Sequence, residues 1–201
     1  IVVINLGFHL ILECLHHFYL LSVFQLLLKM LILLYILEHF YDSRSSMFFF
    51  TSDLDPKLVA RKMEVHDDVV PASNSVLANS LFDLGVIRVN NKYKNMAASI
   101  LNNIKPKMDS YFTSYANYAN LLLKYTKPFY EVVITGQDAF KKSIKINNFY
   151  SPNKLLIGGD NSNYIPLLKG KKSNNLFYYI CEDGLCKQPT SDIKEAINLL
   201  Q

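Results

Sequence analysis

The chain has 201 residues, of which half are hydrophobic and 19% are charged. This composition allows one large or two small domains with a sizeable apolar core. The net charge is only +4, and the lysines are scattered along the sequence. A nucleic-acid partner is therefore not expected, because such a protein needs a dense basic face.

The first forty residues are strongly apolar and allow three interpretations. Residues 20–37 contain one charge, Lys29, and have about the length that a membrane span requires. A lysine near the centre of a span costs about 3 kcal/mol on insertion scales. We therefore favour two helices buried in protein, at about 8–21 and 24–41, over a membrane tether. A third interpretation is that part of residues 1–30 is not native in-frame sequence.

The cysteine count bears on the compartment. The chain contains Cys14, Cys181 and Cys186, an odd and low number that argues against a secreted disulfide framework. No pattern typical of a secretory signal peptide is visible at the beginning of the chain. These observations predict a cytoplasmic location.

The segment after the apolar region is predicted to form a small hairpin. Residues 47–51 are an apolar run flanked by turn-forming residues, and residues 58–65 alternate loosely between apolar and polar. Both patterns indicate extended structure.

Residues 73–126 have the spacing of helices. Pro71 precedes a helix start for which Ser73 or Asn74 is the predicted N-cap. Apolar residues at helical spacing predict further helices at about 92–104 and 111–125. Helices joined by short turns are the repeating unit of bundles and toroids.

The pattern changes at Pro128. Short apolar runs at 131–135, 154–159 and 176–181 predict strands buried on both faces, with a helix at about 137–147 between the first two. Asp192 with Glu195 three residues later resembles a capping box at the start of a last helix. The end of the chain therefore reads as a small α/β unit.

Two motifs resemble a known family. The first is Glu-x-x-Asp-x-x-x-Pro-x-x-Asn-Ser, and the second is Cys-x-x-x-x-Cys followed by Pro-Thr-x-Asp. Together with the runs between them, they resemble the C-terminal part of the thioredoxin-domain-containing family that includes the spermatogenesis-associated thioredoxin-like proteins. One departure is that residues 71–75 read Pro-Ala-Ser-Asn-Ser, where the family usually has Pro-Ser-Gly-Asn-Ser. The motifs comprise these residues: Glu64, Asp67, Pro71, Asn74, Ser75, Cys181, Cys186, Pro189, Thr190 and Asp192.

The resemblance implies a fold and a domain division. Members of that family carry a thioredoxin-like domain followed by an α/α toroid of the six-hairpin glycosidase type. The implied fold class is mainly α, an incomplete toroid of helical hairpins over 1–127 followed by a small α/β unit over 128–201. The chain would then be a C-terminal fragment, and its missing N-terminal thioredoxin-like domain would be a partner.

Glu64 and Asp67 are the candidate catalytic pair. Two carboxylates in different environments could act as general acid and base on a small sugar-like ligand, although the sugar is suggested only by fold analogy. The alternative is that Asp67 and Asp68 bond neighbouring backbone groups, as aspartates often do in turns. His66 has no second histidine at a ligand spacing nearby and is expected to be a lone exposed residue.

The helix start after Pro71 is the candidate binding wall, with Asn74, Ser75 and Asp68 as its residues. Free N–H groups at a helix start could hold an anion. The alternative is ordinary N-capping, which contributes about 1 kcal/mol.

Cys181 and Cys186 are the candidate redox pair. Asp183 and Gly184 between them form a typical tight turn, so the two thiols could come within disulfide reach. They could also remain reduced and packed, and two ligands alone make a poor zinc site. The sequence thus leaves three functions open, with no cofactor or metal predicted: carbohydrate binding or turnover, a redox-linked interaction module, and a membrane-tethered protein.

Overall fold

The computed structural model describes residues 23–56, 59–159, 165–171 and 174–200. Within these ranges the chain forms two compact units. Unit 1 contains residues 24–85 and 90–122. Unit 2 contains residues 123–200, together with residue 23 and the short segment 86–89.

Unit 1 begins with a helix and a two-stranded ladder. Helix α1 spans Val23–His39, and strands β1 (Tyr41–Asp42) and β2 (Met47–Phe48) pair antiparallel. The turn between the strands is held by Asp42, whose carboxylate accepts bonds from the N–H groups of Arg44 and Ser45 and from the Ser45 hydroxyl. The hydroxyl bond is the main reason why the pKa of Asp42 lies below its usual value.

An irregular segment and three helices complete unit 1. Residues 49–56 and 59–72 contain no helix or strand. Helix α2 then spans Ser73–Ile87, and helix α3 spans Asn91–Met108. A 3₁₀ turn at Phe112–Tyr115 leads into helix α4, Ala116–Thr126. Helix α3 begins where the Asn90 side chain accepts a bond from Lys92 N–H, and its buried face is apolar at helical spacing, with Ala97, Ile100, Leu101 and Ile104.

Unit 2 is built on a four-stranded sheet. Strand β3 (Tyr130–Thr135), helix α5 (Ala139–Asn147) and strand β4 (Lys154–Gly159) form a parallel βαβ crossover. Strand β5 (Phe177–Glu182) pairs antiparallel with β3, and the short β6 (Leu185–Cys186) pairs with β5. The strand order is β4-β3-β5-β6, so β6 lies at one edge. A 3₁₀ turn at Pro166–Leu168 precedes β5, and helix α6 (Ile193–Asn198) follows the sheet.

The core of unit 2 lies where the even-numbered side chains of the sheet meet the helices. Its buried members are Val132, Ile134, Ala139, Ile146, Tyr178, Ile180, Ala196 and Leu200. The opposite face of β3 carries Glu131, Val133 and Thr135, which are buried as well. Burial on both faces explains the continuous apolar run of this strand.

Several element predictions are confirmed. Strands were predicted at 131–135, 154–159 and 176–181, and each begins and ends within one residue of the observed strand. The helix predicted at 137–147 is α5. Asp192 caps α6 as expected, since its carboxylate accepts bonds from Lys194 and Glu195 N–H. In a capping box, the Glu195 side chain would accept a bond from the backbone N–H of Asp192. Here its carboxylate accepts a bond from the Thr190 hydroxyl.

The fold-class prediction is wrong. The structure is mixed α/β with two sheets, whereas we expected a mainly α, incomplete α/α toroid of helical hairpins. Two features break the expected succession of helices. A two-stranded ladder and the irregular residues 49–56 and 59–72 separate α1 from α2, and the sheet of unit 2 follows α4 directly.

Two local predictions are also wrong. Residues 47–51 do not form a two-stranded hairpin with 58–65, because β2 pairs with β1 and residues 59–65 are irregular. One backbone bond, from Phe50 N–H to Lys62 O, joins the two segments. The helix after Pro71 begins at Ser73, so neither Ser73 nor Asn74 is its N-cap. The helix predicted at 8–21 and Cys14 lie outside the described residues.

The membrane prediction concerns residues 20–37, of which 20–22 lie outside the described ranges. Within those ranges, no helix combines the length and the apolarity that crossing a bilayer requires.

Candidate functional site

The predicted catalytic pair holds the beginning of helix α2. The Glu64 carboxylate accepts a bond from Ser73 N–H at 2.9 Å, and the Asp67 carboxylate accepts one from Ala72 N–H at 3.0 Å. The first N–H groups of a helix have no partner within the helix, and its N-terminus favours negative charge. Glu64 and Asp67, nine and five residues before the N–H groups that they bond, therefore replace the missing N-cap side chain.

Asp67 also connects α2 to the beginning of α4. Its carboxylate accepts bonds from the Ser75 hydroxyl at 2.6 Å, from Asn117 N–H at 2.8 Å and from the Asn117 amide at 3.2 Å. Its own N–H donates to Ser114 O. The side chain is buried, at 8% exposure, and accepts four hydrogen bonds in all. Three of these bonds end on Oδ1 and one ends on Oδ2, so the carboxylate acts as a structural acceptor.

The Asn74 side chain links helix α2 to two other backbone segments, at Phe48 and at Glu64. Its amide oxygen accepts from Phe48 N–H, and its amide nitrogen donates to Phe48 O and Glu64 O, all at 2.8–2.9 Å. This side chain pairs with β2 as a neighbouring strand would. Asn74 thus supplies the partner that the predicted hairpin with residues 58–65 would have supplied.

The predicted binding wall is not open to a ligand. Ser73, Asn74 and Ser75 have no exposed surface, and the Ser75 hydroxyl bonds both Asp67 and Ala72 O. The third predicted member, Asp68, is exposed, although it follows the buried Asp67 in the sequence. His66 is exposed, and its ring contacts that of Tyr115, with centroids 5.3 Å apart.

Tyr118 is a buried polar residue that the sequence analysis did not identify. Its side chain has no exposed surface, and its hydroxyl has no hydrogen-bond partner among the described residues. Burial, with smaller contributions from the charges of Asp67 and Glu64, raises the pKa of this phenol far above its usual value of 10.0. Helical periodicity predicts that Tyr118 lies on the buried face of α4, but it does not reveal that its hydroxyl is unpaired.

The predicted redox pair forms a disulfide. Cys181 in β5 and Cys186 in β6 are opposite each other in the ladder, with Cα atoms 3.8 Å apart. Lys187 N–H donates to Ile180 O in the next pair, so the cysteines occupy a pair without backbone hydrogen bonds, where the two strands approach most closely. Asp183 and Gly184 both have positive φ, as the favoured two-residue hairpin turn requires.

The two sulfur-bearing residues differ in exposure. Cys181 is 1% exposed, whereas Cys186 is exposed on the edge strand. Cys186 is therefore the more accessible residue of the pair, and Cys181 is the shielded one.

Glu131 is a second site residue that the sequence analysis missed. It lies opposite Cys181 in the β3–β5 ladder and is buried, at 6% exposure. Its carboxylate accepts a bond from Gly184 N–H, at 3.3 Å, in the turn that joins the cysteines. The available signal was a glutamate at the start of an apolar strand, since a buried charge requires a partner.

Metal binding finds no support in the described part of the chain, where no three His, Cys, Asp or Glu residues cluster as metal ligands would. No protein-family model matches the sequence, and no curated protein matches it. The resemblance to the thioredoxin-domain-containing family therefore stays a prediction.

Proposed function

We propose that the Cys181–Cys186 hairpin is a thiol–disulfide site through which unit 2 responds to, or exchanges electrons with, a thiol partner. The single observation that carries this proposal is the asymmetric exposure of the pair, with Cys186 open at a sheet edge and Cys181 buried. Exchange requires an accessible sulfur for attack and a defined leaving group, and this arrangement supplies both.

The short span of the disulfide also supports a reactive role. The cysteines are five residues apart, and the turn already brings them together. In the chain-entropy account, a loop of this length gains about 2 kcal/mol from the cross-link, less than half of what a 100-residue loop gains. The bond therefore contributes little stability compared with a disulfide that joins distant segments.

The partner we propose is a dithiol protein, and the family resemblance suggests a thioredoxin-like domain. The exposed edge of β6 gives such a partner access to Cys186, because an edge strand leaves backbone groups free on one side. The carboxylates of Glu64 and Asp67 accept bonds from groups of the protein itself, and these bonds do not support a carbohydrate role. The donors are Ser73, Ala72, Ser75 and Asn117.

The proposal is tested by redox equilibration of the folded protein in a Cys14→Ser background, which leaves only the pair. The protein is equilibrated with dithiothreitol at increasing ratios of reduced to oxidised reagent, quenched in acid, alkylated and weighed by mass spectrometry. We expect a single two-electron transition under native conditions. A pair that stays oxidised until denaturant is added would be a structural disulfide and would refute the proposal.

Single-cysteine variants test the asymmetry. With oxidised glutathione, Cys181→Ser should form a mixed disulfide at Cys186 on the order of tenfold faster than Cys186→Ser forms one at Cys181, because access limits the reaction. Equal rates in the folded variants would show that burial does not direct the attack.

A further inference from the structure

The ladder register places Glu131 and the two cysteines in one row across the sheet. Glu131 is opposite Cys181 in the β3–β5 pairing, and Cys181 is opposite Cys186 in the β5–β6 pairing. Directly opposed residues point their side chains to the same face, with Cβ atoms roughly 4.5–5.5 Å apart. The register therefore makes the Glu131 side chain the cross-strand neighbour of Cys181, the buried cysteine of the pair.

Lys171 and the turn between the cysteines both interact with Glu131. Burial lowers the pKa of Lys171, and this is the larger effect. The charge of Glu131 acts in the opposite direction and raises the pKa of the lysine. The Gly184 N–H bond ties the carboxylate to the turn, whose other charged residues, Glu182 and Asp183, are exposed. Lys171 and the turn N–H both favour an ionised Glu131.

This arrangement matters once the disulfide is reduced. Cys181 then becomes a thiol at a site that is buried in the oxidised protein, next to a buried carboxylate. A thiolate and a carboxylate this close in a poorly solvated site repel each other, so only one of them carries a charge at a time. An isolated thiol would have no such constraint.

Building on the redox site proposed above, we propose that Glu131 is the proton partner of Cys181, so that the reduced pair holds one proton between carboxylate and thiol. Glu131 is a positioning residue in this scheme, because it acts on Cys181 and does not form a bond with the incoming thiol.

The reaction that follows is a two-electron reduction by two thiol molecules, RSH. The thiolate of the first RSH attacks the Cys186 sulfur, the mixed disulfide forms, and the Cys181–Cys186 bond breaks with its electron pair on Cys181. Glu131 takes up the proton that the first RSH released to solvent and passes it to the Cys181 thiolate, so that Cys181 becomes a thiol and Glu131 is again ionised. The second thiolate attacks the RSH-derived sulfur of the mixed disulfide and releases RSSR. Cys186 leaves as a thiolate and is protonated from water.

The test is the titration of each cysteine in the reduced full chain. Protein carrying ¹³Cβ-labelled cysteine, in the Cys14→Ser background, is reduced with a phosphine, and the two Cβ resonances are followed against pH. Glu131→Gln keeps the size of the side chain and an oxygen for Gly184 N–H but removes the charge. We expect its Cys181 midpoint to fall by at least one pH unit, a tenfold change in proton affinity, while Cys186 stays unchanged.

Two further variants make the test specific. Glu182→Gln, on the exposed neighbouring position of β5, should leave the Cys181 midpoint as in the parent. Lys171→Met removes the balancing cation and should raise that midpoint, so the proposal remains testable if Glu131→Gln does not fold. An unchanged Cys181 midpoint in folded Glu131→Gln, or in folded Lys171→Met, would overturn it.

The two proposals fail in different ways. If dithiols cannot reduce the native disulfide, the redox function is lost. The phosphine-reduced chain still reports whether Glu131 controls the Cys181 proton.

Discussion

Asp67 joins two helices of unit 1, because its buried carboxylate receives donors from the beginnings of α2 and α4. Asp67→Ala leaves Ala72 N–H, the Ser75 hydroxyl and the Asn117 groups without their acceptor. Unpaired buried donors cost about 1–3 kcal/mol each, so we expect a loss of about 3 kcal/mol or more in the free energy of unfolding.

Urea unfolding followed by circular dichroism measures this loss. The matched control is Asp68→Ala, the exposed neighbouring aspartate, which should leave the unfolding midpoint unchanged. Equal destabilisation by the two variants would show that the Asp67 network does not hold unit 1 together.

Tyr118 is a residue whose hydroxyl we expect to be unfavourable for stability. The group is buried without a partner among the described residues, so Tyr118→Phe should stabilise the protein by about 1 kcal/mol at neutral pH. A destabilised Tyr118→Phe variant, measured in the same urea unfolding, would contradict this expectation.

The raised pKa of Tyr118 predicts an effect in alkali. The folded phenol stays protonated while the unfolded one ionises above about pH 10, so the folded state binds more protons there and stability falls as pH rises. Tyr118→Phe removes this contribution, and its unfolding free energy should decline less steeply, by about 1.4 kcal/mol per pH unit. Tyr150→Phe, which removes an exposed phenol, is the matched control.

At the scale of single elements, sequence patterns predicted the strands of unit 2 well and the contacts of unit 1 poorly. An apolar run such as residues 131–135 reports local burial, and the observed strand matches it. The role of Asn74 depends on Phe48, 26 residues away, and that of Asp67 on Asn117, 50 residues away. No local pattern contains such pairings, so the same acidic cluster was open to a catalytic interpretation. The toroid prediction came from the resemblance of two short motifs to a family, and such motifs do not determine which elements come next to each other in this chain.

The loop after β3 depends on a glycine. Gly136 has a φ of +94°, and a Cβ there would lie 2.1 Å from Asn175 O, a backbone atom that cannot easily move. Gly136→Ala should therefore cost roughly 3 kcal/mol or more, from backbone strain and the clash together.

Gly170→Ala is the matched control for Gly136→Ala. Gly170 also has a positive φ, of +78°, but no atom lies within 4 Å of the added Cβ. Its substitution should cost only the backbone strain, about 1 kcal/mol. Thermal unfolding compares the two, and equal losses would show that the approach of Asn175 is not limiting.

At the scale of the whole molecule, the chain divides into two units, and the redox site belongs to one of them. Glu131, both cysteines and Lys171 all lie in unit 2, whereas the Asp67 network lies in unit 1. Reduction should therefore loosen hydrogen bonds around β5 and β6 first, because the cross-link joins these two strands.

Hydrogen exchange read by mass spectrometry, with and without a phosphine reductant, measures the reach of this effect. We expect faster exchange on reduction in peptides covering 177–187 and unchanged exchange in peptides from α2 and α3. A Cys181→Ala/Cys186→Ala protein is the control, because it should show the faster exchange in both conditions. Equal acceleration in α2 and α3 would show that the disulfide stabilises the whole chain, and its role would then be structural. Acceleration confined to the hairpin would leave unit 1 intact during the redox cycle, as a local thiol–disulfide site requires.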